Sequence, residues 1–91
     1  MRYKIISSRE AEKAVRRLNA DDFRAITAAV DSLAEEPWPV NSASLRLGKY
    51  EGNLYRIRIR DYRVIYSVDS KNQVVYIKRI ARRSESTYKN L

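Results

Sequence analysis

The stretch Tyr55-Arg56-Ile57-Arg58-Ile59-Arg60 alternates apolar and basic residues without a break. A period of two belongs to a β-strand, whose successive side chains leave opposite faces. Two further runs follow, Tyr62 to Val68 and Gln73 to Ile80, both rich in β-branched and aromatic residues. Arg60-Asp61 separates the first pair, and the turn-forming cluster Asp69-Ser70-Lys71-Asn72 separates the second. Three strands at hairpin spacing predict an antiparallel meander. The rest of the chain must then cover one face of a small sheet.

The N-terminal half supplies that cover. Tyr3 to Ile6 reads as a short strand. Ser7 is the expected N-cap of a first helix, with Glu10 completing a capping box. Ala11, Ala14, Val15 and Leu18 follow at helical spacing. Asn19 to Asp22 breaks that helix, and Asp21 is the expected cap of the next. Phe23, Ile26, Val30 and Leu33 carry the second helix to near Glu36, where Pro37 and Pro39 stop it. The two form an antiparallel αα-hairpin. Glu35 and Glu36 are read as a solvated helix end, and Trp38 as a cap on the core. Ser44 to Leu47 is a further short strand candidate, ended by Gly48. The expected fold is therefore α+β: an N-terminal strand and an αα-hairpin packed on a small antiparallel sheet, one domain over residues 1–91.

Parity assigns the faces of the sheet. A two-residue turn at Arg60-Asp61 pairs Ile59 with Tyr62, Arg58 with Arg63 and Ile57 with Val64. A four-residue turn at 69–72 pairs Val68 with Gln73, hence Ile65 with Tyr76 and Arg63 with Lys78. Tyr55, Ile57, Ile59, Tyr62, Val64, Tyr66, Val75 and Ile77 then form the face that receives the helices. Arg56, Arg58, Arg63, Lys78, Ile65 and Tyr76 form the other. Directly opposed like charges destabilise a sheet. Cations aligned without a folding benefit point to an anion-binding face.

Charge and composition narrow the chemistry. The chain has 19 Lys and Arg against 11 Asp and Glu, a net charge of +8. Residues 1–54 carry +1 of this and residues 55–91 carry +7, so a polyanionic partner is expected. The absence of cysteine excludes disulfides, thiolate nucleophiles and zinc fingers. The absence of histidine excludes the commonest general base and the Ser-His-Asp triad. No segment has the length of a membrane span or the run of a signal peptide, and a cytoplasmic protein is expected.

Leu54-Tyr55-Arg56-Ile57-Arg58-Ile59-Arg60-Asp61-Tyr62-Arg63-Val64-Ile65-Tyr66-Ser67-Val68-Asp69 resembles the central signature of the RelE/ParE superfamily of bacterial and archaeal toxins. The likeness extends over nearly the whole chain, through the "Leu-Gly" loop to an Arg-Arg…Tyr tail. The resemblance implies the toxin of a type II toxin–antitoxin system, silenced by an antitoxin that wraps an acidic or amphipathic segment around it. RelE-type members are ribosome-dependent, metal-independent endoribonucleases that cut mRNA in the A site and need no cofactor. ParE-type members share the fold and poison DNA gyrase without chemistry of their own. A plain nucleic-acid-binding module ranks last, because interleaved exposed aromatics are missing.

Carried over by position, the family's two basic residues on the first meander strand fall at Arg56 and Arg58, where well-studied RelE toxins have lysines. The next strand's arginine is Arg63. The tail residues are Arg83 and Tyr88, with Arg82 adjacent, and Ala81 replaces a common glycine. The resemblance implies Arg63 and Arg83 as phosphate clamps, Arg56 and Arg58 as RNA and transition-state contacts, and Tyr88 as a stacking or proton-transfer group. Lys78, Arg82 and Arg46 are expected RNA contacts. Arginine does not act as a general base, so proton abstraction falls to Tyr88, Lys78 or a ribosomal group. The free toxin is expected to be monomeric.

Overall fold

The computed structural model describes residues 2–45 and 54–82. Within them lie β1 (Lys4–Ser7), α1 (Arg9–Arg16), α2 (Ala20–Ser32), β2 (Ala43–Leu45), β3 (Leu54–Ile59), β4 (Tyr62–Asp69) and β5 (Val74–Arg82). The strands form one sheet in the order β1-β5-β4-β3-β2. β1 runs parallel to β5, and the other pairs are antiparallel. The sheet is therefore mixed, with the expected meander at its centre.

Both helices start one or two residues away from the expected caps. Ser8, not Ser7, caps α1: its Oγ accepts from Ala11 N at 3.1 Å. Ser7 is kept in the strand by its place opposite Ile77. Asn19, not Asp21, caps α2, its side chain accepting from Asp22 N at 2.8 Å. The regular helix ends at Ser32 rather than near Glu36. The chain then tightens, with Leu33 N donating to Val30 O and Ala34 N to Asp31 O, the spacing of a 3₁₀ turn.

α1 packs on β5 and α2 on β3. The core between helices and sheet holds Ala11, Ile26, Leu33, Ile57, Val64, Tyr66, Val75, Ile77 and Ile80. Tyr55, Ile59 and Tyr62 pack at its margin, so every residue expected on the helix-facing side is there. Each large aliphatic side chain so buried contributes about 1.5–3 kcal/mol. Tyr66 is fully buried and donates its hydroxyl to Pro37 O at 2.7 Å. Trp38 stands edge-on to Tyr3 and Tyr55, each with ring centroids 6.3 Å away, and caps the core as expected.

The β3–β4 hairpin keeps the expected register, Ile59 opposite Tyr62 and Arg58 opposite Arg63. Its turn contains neither Gly nor Asn, and Arg60 takes a φ of 55°. That left-handed conformation costs a non-glycine residue roughly 1–2 kcal/mol. Arg60 Nε donates to Asp22 Oδ1 at 2.6 Å, so the first turn of α2 holds the hairpin tip.

The β4–β5 register differs from expectation. Asp69 pairs with Val74, and Val68 with Val75 instead of Gln73. Asp69 folds the turn itself: its carboxylate accepts from Asn72 N at 3.0 Å and from Asn72 Nδ2 at 2.8 Å. These bonds hold its carboxyl below the usual carboxylate range. Gln73, at a φ of 57°, is drawn into the turn. Further along, Tyr66 faces Ile77 but Ile65 faces Arg79. Lys78 is thus the extra residue of a β-bulge.

Candidate nucleic-acid interface

The bulge decides what the sheet presents on the side away from the helices. Beyond it, Arg63 lies opposite Ala81 and Ile65 opposite Arg79. The expected pairs Arg63–Lys78 and Ile65–Tyr76 are not formed, because the turn slips β5 by two residues and the bulge adds a third. Across three strands the outer face reads Arg56–Ile65–Arg79 in one row and Arg58–Arg63–Ala81 in the next. Four arginines therefore surround a small apolar spot. Ile65 is fully buried and Ala81 nearly so, although both sit opposite the helical layer. Arginine stems cover apolar surface while their heads stay outward, which suits the flanks of Ile65.

Arg58 and Arg63 are direct cross-strand neighbours. Such a like-charge pair costs a few tenths to about 1 kcal/mol. Arg56 Nε is buried and, among the described residues, has no hydrogen-bond partner. Leaving a buried donor unsatisfied costs about 1–3 kcal/mol. Both features oppose folding, and an anion seated on this face relieves both.

The other expected site residues divide. Lys78 shares the outer face but stands over the Tyr76 ring, 5.6 Å from its centroid, one row away from the arginines. Arg82 is turned to the helix side. Its Nε donates to Tyr62 Oη at 3.3 Å, and its guanidinium lies 5.7 Å from that ring's centroid. The bond to Tyr62 holds Arg82 still more firmly protonated. Arg46, Arg83 and Tyr88 lie outside the described residues. Among the described residues no three carboxylates gather into a metal site.

Arg79 was not expected here. Its signal was the apolar spacing Val75, Ile77, Ile80, two and then three. A strand whose inward residues skip a beat contains a bulge, and the parity beyond it inverts. The bulge is fastened to the helical layer. Ser8 N donates to Ile77 O at 2.9 Å, and Ser8 Oγ donates to Lys78 O at 2.8 Å.

Known proteins share this fold. Residues 5–87 match the model of the family described as ParE toxin of type II toxin-antitoxin system, parDE. A solved archaeal RelE-RelB complex from Pyrococcus horikoshii contains a chain 32% identical to this one, with a TM-score of 0.81. That match covers 94% of this chain and 100% of the other. The toxin–antitoxin complex RelBE2 of Mycobacterium tuberculosis matches at 23% identity and a TM-score of 0.75, covering 91% and 100%. The intact RelBE complex of E. coli matches at 21% and 0.71, covering 91% and 99%. No curated protein is a significant match. The family match spans most of the sequence, and the archaeal likeness extends to the whole fold: this chain belongs to the RelE/ParE family of type II toxin–antitoxin toxins.

Proposed function

We propose that the protein is a ribosome-dependent endoribonuclease that cuts mRNA in the A site. The observation that carries this reading is the arginine cluster Arg56, Arg58, Arg63 and Arg79 around Ile65. In the cleavage step the 2′-oxygen bonds to the adjacent phosphorus and the bond to the 5′-oxygen breaks. A cyclic 2′,3′-phosphate and a free 5′-hydroxyl result. One proton leaves the 2′-hydroxyl and one reaches the departing 5′-oxygen. The phosphoryl oxygens gather negative charge in between, where preorganised guanidiniums act best.

In this reading Arg63 and Arg83 clamp the phosphate, and Arg56 and Arg58 meet the developing charge. Arg46, Lys78 and Arg82 contact RNA. The arginines stay protonated, so the proton goes to Tyr88, Lys78 or a ribosomal group. Geometry imposed by the ribosome then supplies much of the rate.

An acidic or amphipathic antitoxin segment is the proposed silencing partner, and the relatives crystallised with RelB support it. The proposed site of action is the cytoplasm, with the free toxin monomeric. Among the described residues no helix is long and apolar enough to cross a membrane.

The test maps mRNA 5′ ends with programmed ribosomes and with naked RNA. New ends in the A-site codon, only with ribosomes and lost in a folded Arg63→Ala variant, are expected. Retained cutting by that variant removes Arg63 as the clamp. The ParE description of the matching family supports a second reading, stoichiometric inhibition of DNA gyrase. A supercoiling assay reads it directly: blocked supercoiling with no mRNA ends would replace the first reading.

A further inference from the structure

We propose that the cleft between α1 and the part of β5 that extends beyond β1 is a second phosphodiester-binding site, continuous with the outer arginine face. The proposal rests on the RNA reading above and extends it to a second surface. β1 stops at Ser7, opposite Ile77, whereas β5 runs on to Arg82. Where β1 ends, α1 stands beside β5 and encloses a cleft of about 380 Å³. Lys13 lines it from α1, Arg17 from the C-cap of that helix, and Tyr62, Arg79 and Arg82 from the sheet. Glu10 is the single acid among the described lining residues, against four cations.

Lys13 and Arg17 are spaced i, i+4 and exposed, so they stand one turn apart on the same side of α1. Like charges at that spacing destabilise a helix by a few tenths of a kcal/mol. None of the ion pairs among the described residues engages either one. The helix C-terminal dipole favours Lys13 and Arg17 where they stand, but it does not account for their lining one cleft with Arg79 and Arg82. An anion site does.

Continuity favours a nucleic-acid backbone over an acidic peptide as the occupant. Arg79 belongs at once to the outer row beside Ile65 and to the cleft wall. A strand crossing the arginine face can therefore pass the part of β5 that extends beyond β1 without leaving positive charge. Tyr62 holds the Arg82 guanidinium at the cleft wall, its Oη accepting from Arg82 Nε at 3.3 Å.

The test measures binding of labelled single-stranded RNA oligonucleotides of increasing length over a range of salt. Lys13→Ala/Arg17→Ala is compared with Arg9→Ala/Arg16→Ala, which removes the same charge from α1 outside the cleft. The cleft variant is expected to flatten the slope of log K against log salt by about 1.4, two phosphates at about 0.7 each. That change should appear only with oligonucleotides long enough to span both surfaces, and the control variant should keep the wild-type slope. Thermal melts confirm that both variants fold. Wild-type slopes in the cleft variant, or equal flattening in the control, overturn the proposal. So does loss of polyglutamate binding with RNA binding unchanged, which marks the cleft as a peptide site. If Arg56→Ala/Arg58→Ala abolishes RNA binding while the cleft variant does not change it, the cleft assignment falls and the RNA reading stands. Absence of RNA binding by the wild type overturns the cleft assignment, while the RNA reading is decided by the cutting test with ribosomes.

Discussion

Asp22 Oδ1 and Arg60 Nε lie 2.6 Å apart although 38 residues separate them in the chain. The carboxylate is nearly buried, and the guanidinium is about half exposed. The pair fastens the first turn of α2 to the tip of the hairpin that carries Arg58 and Arg63. It also offsets the left-handed backbone of Arg60. Asp22→Ala is expected to lower stability by about 1–2 kcal/mol, below the range for a fully buried charged hydrogen bond because solvent screens Arg60. Arg60→Gly should lose about 1 kcal/mol less than Arg60→Ala, since glycine accepts the positive φ. Urea unfolding of the three variants checks both statements. Equal losses in the two Arg60 variants would show that the φ of 55° is not a strained position.

Ser8 has two tasks, capping α1 and holding the bulge through Lys78 O. Ser8→Ala should cost about 1–2 kcal/mol, the range for loss of an N-cap. Ser8→Thr keeps the hydroxyl and should recover most of that. Ser7→Ala should stay within about 0.5 kcal/mol, as for a surface substitution. The opposite order would return the cap to Ser7.

Tyr66 gives a pH signature. Its phenol is pushed up to about 12, first of all by burial, against about 10 in an unfolded chain. The folded state therefore holds this proton more tightly than the unfolded state. Its contribution is complete below pH 10 and disappears as pH rises from 10 through 12, by about 2–3 kcal/mol. Tyr66→Phe is expected to be less stable at neutral pH by about 1 kcal/mol, having lost the bond to Pro37 O. Its stability should then fall less steeply above pH 10 than that of the wild type. Parallel curves would mean that Tyr66 ionises no later than an exposed tyrosine.

The corrected register separates Arg79 from Lys78. A charge-assisted contact is worth about 1.5–3 kcal/mol, so Arg79→Ala should weaken RNA binding or cleavage about 10- to 100-fold. Lys78→Ala, one row away, should have the smaller effect. A larger loss of RNA binding with Lys78→Ala than with Arg79→Ala would contradict the bulged register, whereas a larger loss of cleavage alone would mark Lys78 as the proton acceptor.

The sequence by itself determined the elements and the helix-facing surface. Alternation through Tyr55–Arg60 set the parity of β3, and the two-residue connection at Arg60-Asp61 carried that parity into β4. Arg56, Arg58 and Arg63 were legible on one face for this reason. Period-two patterns are robust to a slip of two residues, so Val75 and Ile77 stayed in the core even though the β4–β5 pairing had moved. Tertiary structure alone decided the rest. Asp69 and Asn72 closed a turn one residue later than the composition of the loop implied. The link from Ser8 to Lys78 O joins the bulge to a helix start 70 residues away in the chain. That bulge inverted the parity of the last strand segment, which put Arg79 beside Ile65 and turned Arg82 toward Tyr62. Local pattern fixes which residues alternate, but the partner across each strand depends on bonds between distant segments, and those exist only in the folded chain.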